Sequence, residues 1–222
     1  MNKTLPFAGL LLVALGARDA AAQWNVARLA TRPNRIYTSM GIDPAIVTTV
    51  GFSRVVRIDG QRFQIAADIG IAGAQLDDPQ DYRARLSVMT SILHWRSLHF
   101  AGSATFITRG TENSIYRGFN FGADFTGTAG VYRPGWFIAG EFGFDKAVIT
   151  HVKHSDWYRT YFYADAKDGW YLTGGGTFHY GFNAGVALGP FEVAGRFGWL
   201  RTEDLNELTP PLFGSLGLGV AF

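Results

Sequence analysis

A few side-chain sets in this chain have types and spacing suited to chemistry. Glu141, Asn183 and Arg196 fall on the polar side of three alternating segments, an acid and a base flanking an amide. Such a trio either compensates its own charge or forms the narrow point of a polar passage. Asp68, Asp124 and Arg85 have the same parity in neighbouring segments and extend the set. His151, His154 and Asp156 are metal-type ligands at close spacing, but no second cluster completes a four-ligand site. Asp77, Asp78 and Asp81 could attract a divalent cation, yet they lack the glycine and terminal glutamate of a calcium-binding loop. The Gly174-Gly175-Gly176 run is followed by neither a Lys-Ser/Thr pair nor a helix, so it does not read as a phosphate loop. The sequence therefore assigns no catalytic residue, no cofactor and no metal site.

The elements that must position these residues are strands. Phe63, Ile65, Ala67, Ile69 and Ile71 alternate with Gln64, Ala66, Asp68, Gly70 and Ala72, and the same period of two runs through Phe119–Val131, Trp136–Phe144, Phe178–Leu188 and Phe191–Trp199. Ten such segments are expected, at 34–41, 46–57, 62–75, 83–95, 98–109, 117–132, 135–150, 175–188, 190–202 and 212–222. No charged residue lies on the apolar face of the five clearest ones. Alternation alone does not say whether that face is a core or an outer surface.

Connection lengths separate the two. The links Ile58 to Gln61, Arg96-Ser97, Arg133-Pro134-Gly135 and Gly189-Pro190 are tight. Between them, Leu76 to Tyr82, Gly110 to Tyr116, Thr150 to Gly174 and Thr202 to Pro211 are longer. Strict short–long alternation is the habit of transmembrane barrels, with short periplasmic turns and longer external loops.

Composition agrees with one domain of this kind. The 222 residues are 47% hydrophobic and only 17% charged, with 28 Gly and no Cys. The absence of Cys removes structural disulfides and a lipidated N-terminal Cys. Mean hydropathy is +0.05, and beyond the start of the chain no apolar window reaches the ~20 residues of a membrane helix. A net charge of +2 does not favour nucleic acid as a partner. At the start, Lys3, the apolar run Leu5 to Gly16 and Ala20-Ala21-Ala22 before Gln23 read as a secretory signal peptide, residues 1–22. Residues 23–33 read as a periplasmic tail or a plug in a barrel mouth, and 34–222 as the barrel itself.

The chain ends LFGSLGLGVAF, with Leu212, Leu216, Leu218, Val220 and the terminal Phe222 on one face and Phe213, Ser215, Gly217, Gly219 and Ala221 on the other. This closing strand resembles the last strand of bacterial outer-membrane β-barrels. The resemblance implies an all-β, antiparallel up-and-down transmembrane barrel of about ten strands, with eight as the alternative. It also implies that Leu216, Leu218, Val220 and Phe222 form the assembly signal read by the barrel assembly machinery, and that the protein sits in the outer membrane among lipid and lipopolysaccharide. Some barrel families carry lipid A modifiers or surface proteases that use His with Ser or Asp near the external rim. Here His179 and His151 have no Ser and acid to complete such a set.

The function expected is therefore that of a monomeric, largely closed barrel acting through its external loops. A narrow channel for small polar solutes or ions is the first alternative, and a rim hydrolase acting on lipid or peptide the second. The loop surface expected to interact is Trp157, Tyr158, Tyr161, Tyr163, Trp170 and Tyr171, in a region read as an extension of the seventh strand that turns at Lys167-Asp168-Gly169. Trp95, Tyr132, Trp136, Trp199 and Phe222 are expected in interfacial aromatic girdles. Inward Gly122, Gly130, Gly181, Gly185, Gly217 and Gly219 are expected to leave water-sized gaps, filled in part by residues 23–33 or by Met89, Phe137 and Phe213.

Overall fold

The structure is a computed structural model and describes residues 24–42, 46–72 and 81–222. The expected signal peptide and the carboxylates Asp77 and Asp78 lie outside the described residues. Ten strands close on themselves: β1 (Asn34–Ile42), β2 (Ile46–Ile58), β3 (Gln61–Ala72), β4 (Tyr82–Trp95), β5 (Leu98–Glu112), β6 (Tyr116–Arg133), β7 (Trp136–His154), β9 (Thr177–Leu188), β10 (Phe191–Thr202) and β11 (Glu207–Ala221). Each pairs antiparallel with its neighbours, β7 joins β9 directly, and β1 seals against β11 from Arg35↔Ala221 to Ile42↔Gly214. A short β8 (Gly169–Leu172) adds to the outer end of β7. This is the all-β up-and-down barrel that the alternation implied, and among the described residues each of the ten expected segments lies on a strand, save for at most two residues at an end.

The outer face identifies the architecture. Phe125 is 63% exposed and Leu216 59%, whereas Arg85 is 4% exposed and Glu141 5%. A sandwich in water hides its apolar face, so this reversal of inside and outside is that of a β-barrel whose wall faces a membrane.

Two-residue turns join β2–β3, β4–β5, β6–β7 and β9–β10 at one end of the barrel, beside the final residue Phe222. At the first, Asp59 and Gly60 both take positive φ, the geometry of a type I′ hairpin whose twist suits the strands it joins. The other end differs from the sequence reading. Of Gly110 to Tyr116 only residues 113–115 lie outside strands, and β11 begins at Glu207, so part of each of two expected loops is strand. β7 runs on to His154 and β8 returns from Gly169 to pair with it, as expected, but between them stands α1 (Asp156–Tyr161), with Ser155 as its N-cap accepting from Tyr158 N. A Ser–Asp start satisfies orphan helical N–H groups, which is why helix rather than further strand follows the interruption at His154.

Tyr132 faces inward, 2% exposed, with its ring stacked on Phe137 at 5.3 Å, and is no part of a girdle. It lies on the even, inward parity of β6. Trp95, Trp136 and Phe222 do face outward.

Candidate functional site

The inside of the barrel is a stack of ionic layers. Nearest the turns, the chain before β1 enters the mouth as a 3-10 turn at Val26–Arg28, with Trp24, Val26 and Leu29 packed against Tyr37 and Ala194. Glu192 ties it down: its carboxylate accepts from Asn25 N at 2.8 Å, from Arg28 at 3.2 Å and from Arg35 at 3.0 Å. The Arg35 guanidinium also lies 4.8 Å above the Trp24 ring. Residues 24–29 thus occupy the barrel mouth.

Further in, Asp68 on β3 accepts from Arg85 Nε at 2.6 Å and from the Tyr37 hydroxyl at 2.8 Å. On the opposite wall, Glu141 on β7 accepts from Arg196 Nε at 2.9 Å and from Asn183 Nδ2 at 2.9 Å. His179 lies above it, with Nδ1 4.0 Å from Glu141 Oε1 and Nε2 2.7 Å from Asp124 Oδ2. Towards the loop end, Arg109 donates to Asp145 at 2.5 Å and to Asn120 at 3.3 Å, and Asn120 donates to Thr150.

The structure therefore brings Glu141, Asn183 and Arg196 together, joins Asp124 to them through His179, and places Asp68 and Arg85 in a separate pair. Sequence reasoning missed Glu192, Arg28, Arg35, Arg109 and Asp145. The inward parity of Glu192, Arg35, Arg109 and Asp145 was readable, but partners many strands apart in sequence are set by the barrel's stagger, and Arg28 lies before the first strand.

Beside several inward glycines the space is taken by the expected fillers, Phe137, Phe213 and, from residues 23–33, Trp24. A Cβ at Gly51 would collide with the Tyr37 ring, at Gly185 with Phe137, and at Gly219 with Trp24 2.9 Å away. Glycine lets each ring lie flat against the wall, so the space is filled by protein.

The chemistry available inside is limited by this packing. The Thr126 hydroxyl lies 3.4 Å from His179 Nε2, but its Oγ1 donates to Asp124 at 2.7 Å, and Thr126 and His179 are both buried. At the loop end, His151 packs on Trp170, His154 contacts Tyr158 and Asp168, and Asp156 projects into solvent, so the three do not converge on a metal.

The loop above β7 is the other candidate. Trp157, Tyr161, Tyr163, Trp170 and Tyr171 are exposed, and so are Phe162 and Leu172 beside them. Tyr158 is half-buried, stacked on His154 and Phe162. Asp168 braces the loop: it accepts from His154 N at 2.8 Å and pairs with Arg159 at 2.5 Å. These donors, the His154 amide first, hold its carboxyl well below the usual carboxylate range.

No protein-family profile matches the chain, and no curated protein matches it. Among solved structures it is similar to the crystal structure of Ail, the attachment invasion locus protein of Yersinia pestis. The identity is 11% and the TM-score 0.36, over 86% of this chain and 98% of that one.

Proposed function

We propose that this protein is a non-enzymatic barrel of the bacterial outer membrane, closed along its lumen, that acts at the cell surface through the α1–β8 loop. The observation that carries the reading is an aromatic loop that is exposed yet braced, at the barrel end away from Phe222. Trp and Tyr side chains held in place in this way offer contact area at little entropic cost. The turns and the chain end face the periplasm in this reading. Strands β6 and β7 are 18 and 19 residues long, against the ~9–11 that cross a bilayer, so their far ends lift the loop clear of the membrane. The loop's first neighbour is the lipopolysaccharide layer.

Closure is supported by burial at every level, since the side chains of Arg35, Arg85, Arg196 and Arg109 are all sealed from solvent. A water-filled passage would leave inward charges wet.

Two measurements test the reading. Planar bilayers containing the protein should show no steady conductance, and an ohmic current altered by Glu141→Ala would overturn closure. Vesicles with lipopolysaccharide in the outer leaflet should shift the Trp fluorescence of the parent, but much less that of a Trp157→Ala/Trp170→Ala variant. Equal shifts for both would remove the loop from the surface role.

A further inference from the structure

The outer wall of the barrel carries a trough that its apolar character alone does not explain. One hydrogen-bonded row across the strands reads Thr90↔Gly102↔Gly127↔Phe142↔Tyr180↔Trp199. Where this row crosses β6 the side chain vanishes, and with the neighbouring Gly140 it leaves an open groove of about 1020 Å³ walled by Phe125 and Phe142, with Ile92 lying over Gly102 at its edge. The room is real. A Cβ at Gly127 would meet only Phe100 Cζ at 3.7 Å and Phe142 O at 3.9 Å, and one at Gly140 only Gly181 O at 3.9 Å.

The row climbs as it goes round. Gly102 stands four residues above the turn end of β5 at Leu98, and Trp199 eight above that of β10 at Phe191. The low end of the trough therefore opens over the β4–β5 and β6–β7 turns. There two cations stand against aromatic rings: Arg96 lies 5.3 Å from the Trp95 centroid and Arg133 5.8 Å from that of Trp136. Both arginines are exposed. From Trp136 to Gly140 is four residues on one face, about 13 Å at ~3.3 Å per residue.

On the outer-membrane reading above, this wall faces hydrocarbon and these turns lie at the periplasmic headgroup level. We propose that the trough is a binding site for an anionic glycerophospholipid of the periplasmic leaflet, with an acyl chain along Gly127 and Gly140 and its phosphate between Arg96 and Arg133. The charge at the foot selects the occupant. A zwitterionic lipid carries the same phosphate but also a headgroup cation that the paired guanidinium groups repel, whereas an anionic lipid presents its phosphate to their fork of N–H donors unopposed. Their position at the turn end also selects a periplasmic-leaflet lipid over lipopolysaccharide, which lies at the other end.

The test uses the refolded full barrel in detergent, presented with equal phosphatidylglycerol and phosphatidylcholine and read by native mass spectrometry. The parent should retain phosphatidylglycerol preferentially. Gly127→Leu fills the trough without a backbone clash and should cut retention of both lipids about tenfold. Arg96→Gln/Arg133→Gln should change phosphatidylcholine retention far less than phosphatidylglycerol retention and lower the preference for phosphatidylglycerol about fivefold or more, because cations at the headgroup level attract anionic lipid.

Equal retention by parent and Gly127→Leu would overturn the site. So would a parent dimer that Gly127→Leu abolishes while lipid retention stays, since the trough would then seat a second copy. A chain that never enters vesicles fails the membrane reading itself, whereas one that enters and holds no lipid fails this proposal alone.

Discussion

Arg196 on β10 reaches over β9 to Glu141 on β7, with the two side chains 2% and 0% exposed. Asn183, beside Arg196 in the β9–β10 register, donates to the same carboxylate. A charge pair so fully removed from water repays its desolvation only while every member is present. Glu141→Ala should therefore cost about 3–5 kcal/mol, because it strands the Arg196 guanidinium. Glu141→Leu combined with Arg196→Met should recover most of that loss. Reversible urea unfolding of the refolded barrel in vesicles measures both, and additive losses in the double variant would refute the coupling.

Glu192 performs a comparable task for residues outside the barrel wall. It is the shared acceptor for Asn25 N, Arg28 and Arg35, so Glu192→Gln should free residues 24–29 from the mouth while the strands stay paired. Hydrogen bonds to a charged group are each worth about 1.5–3 kcal/mol, enough to expose Arg28 and Arg32 to trypsin in an otherwise resistant barrel. Limited proteolysis with mass mapping reads the outcome, and unchanged cleavage would show that apolar packing of Trp24 and Leu29 suffices.

The fold was legible in the chain because a barrel wall obeys a local rule. Parity along each strand placed Glu141, Asn183, Arg196, Asp68 and Arg85 inside and Phe125, Phe197 and Leu216 outside, with no knowledge of neighbours. Partners were less legible. Asp124 meets His179 across 55 residues and Arg109 meets Asp145 across 36, distances fixed by stagger between strands and absent from any one strand's pattern. Tyr132 shows the limit of composition: an aromatic near a strand end suggests a girdle, yet its parity points it inward onto Phe137. The α1 turn was missed for a different reason, since one Ser155 cap decides it and the aromatics around it suit strands equally well.

Asp168 makes a prediction about pH. Its carboxyl is held well below the ordinary 3.8, first by the His154 amide and then by Arg159. A depressed folded pKa means that the brace is fully present above about pH 4 and lost only as pH falls through the lower folded value. Hydrogen exchange of the His154 amide should therefore show undiminished protection down to that pH and a loss in stronger acid. Asp168→Asn should weaken protection across the whole range. If the variant matches the parent at neutral pH, the loop is braced by its rings instead.

The terminal residue separates folding from assembly. Phe222 contributes its backbone to the seal, exchanging bonds with Asn34 at 2.9 and 3.0 Å, while its ring is exposed. Phe222→Ser keeps that backbone, so refolding of the purified chain into vesicles should lose about 1 kcal/mol or less. If the ring is an assembly signal, the same change in cells should lower the yield of heat-modifiable barrel and raise unfolded protein in the periplasm. Equal cellular yields would remove that role from Phe222.

The depth of the wall gives the last prediction. Phe197 and Phe191 both point outward from β10, one at mid-strand and one at the β9–β10 turn. Ala194 makes a poor inward control, because it is 3% exposed in the cluster with Trp24, Tyr37 and Phe137, and an arginine there would be penalised for its bulk alone. Comparing two outward positions keeps parity and residue type constant and changes only the solvent. At the bilayer midplane a lipid-facing arginine costs about 2–4 kcal/mol, falling to about 0–1 near the interface. Phe197→Arg should therefore destabilise the barrel in vesicles by about 2–3 kcal/mol more than Phe191→Arg. The gap should shrink in detergent micelles, where the side chain snorkels to water more easily. Equal losses at the two positions in vesicles would mean that this face meets no hydrocarbon layer, and would overturn the transmembrane placement.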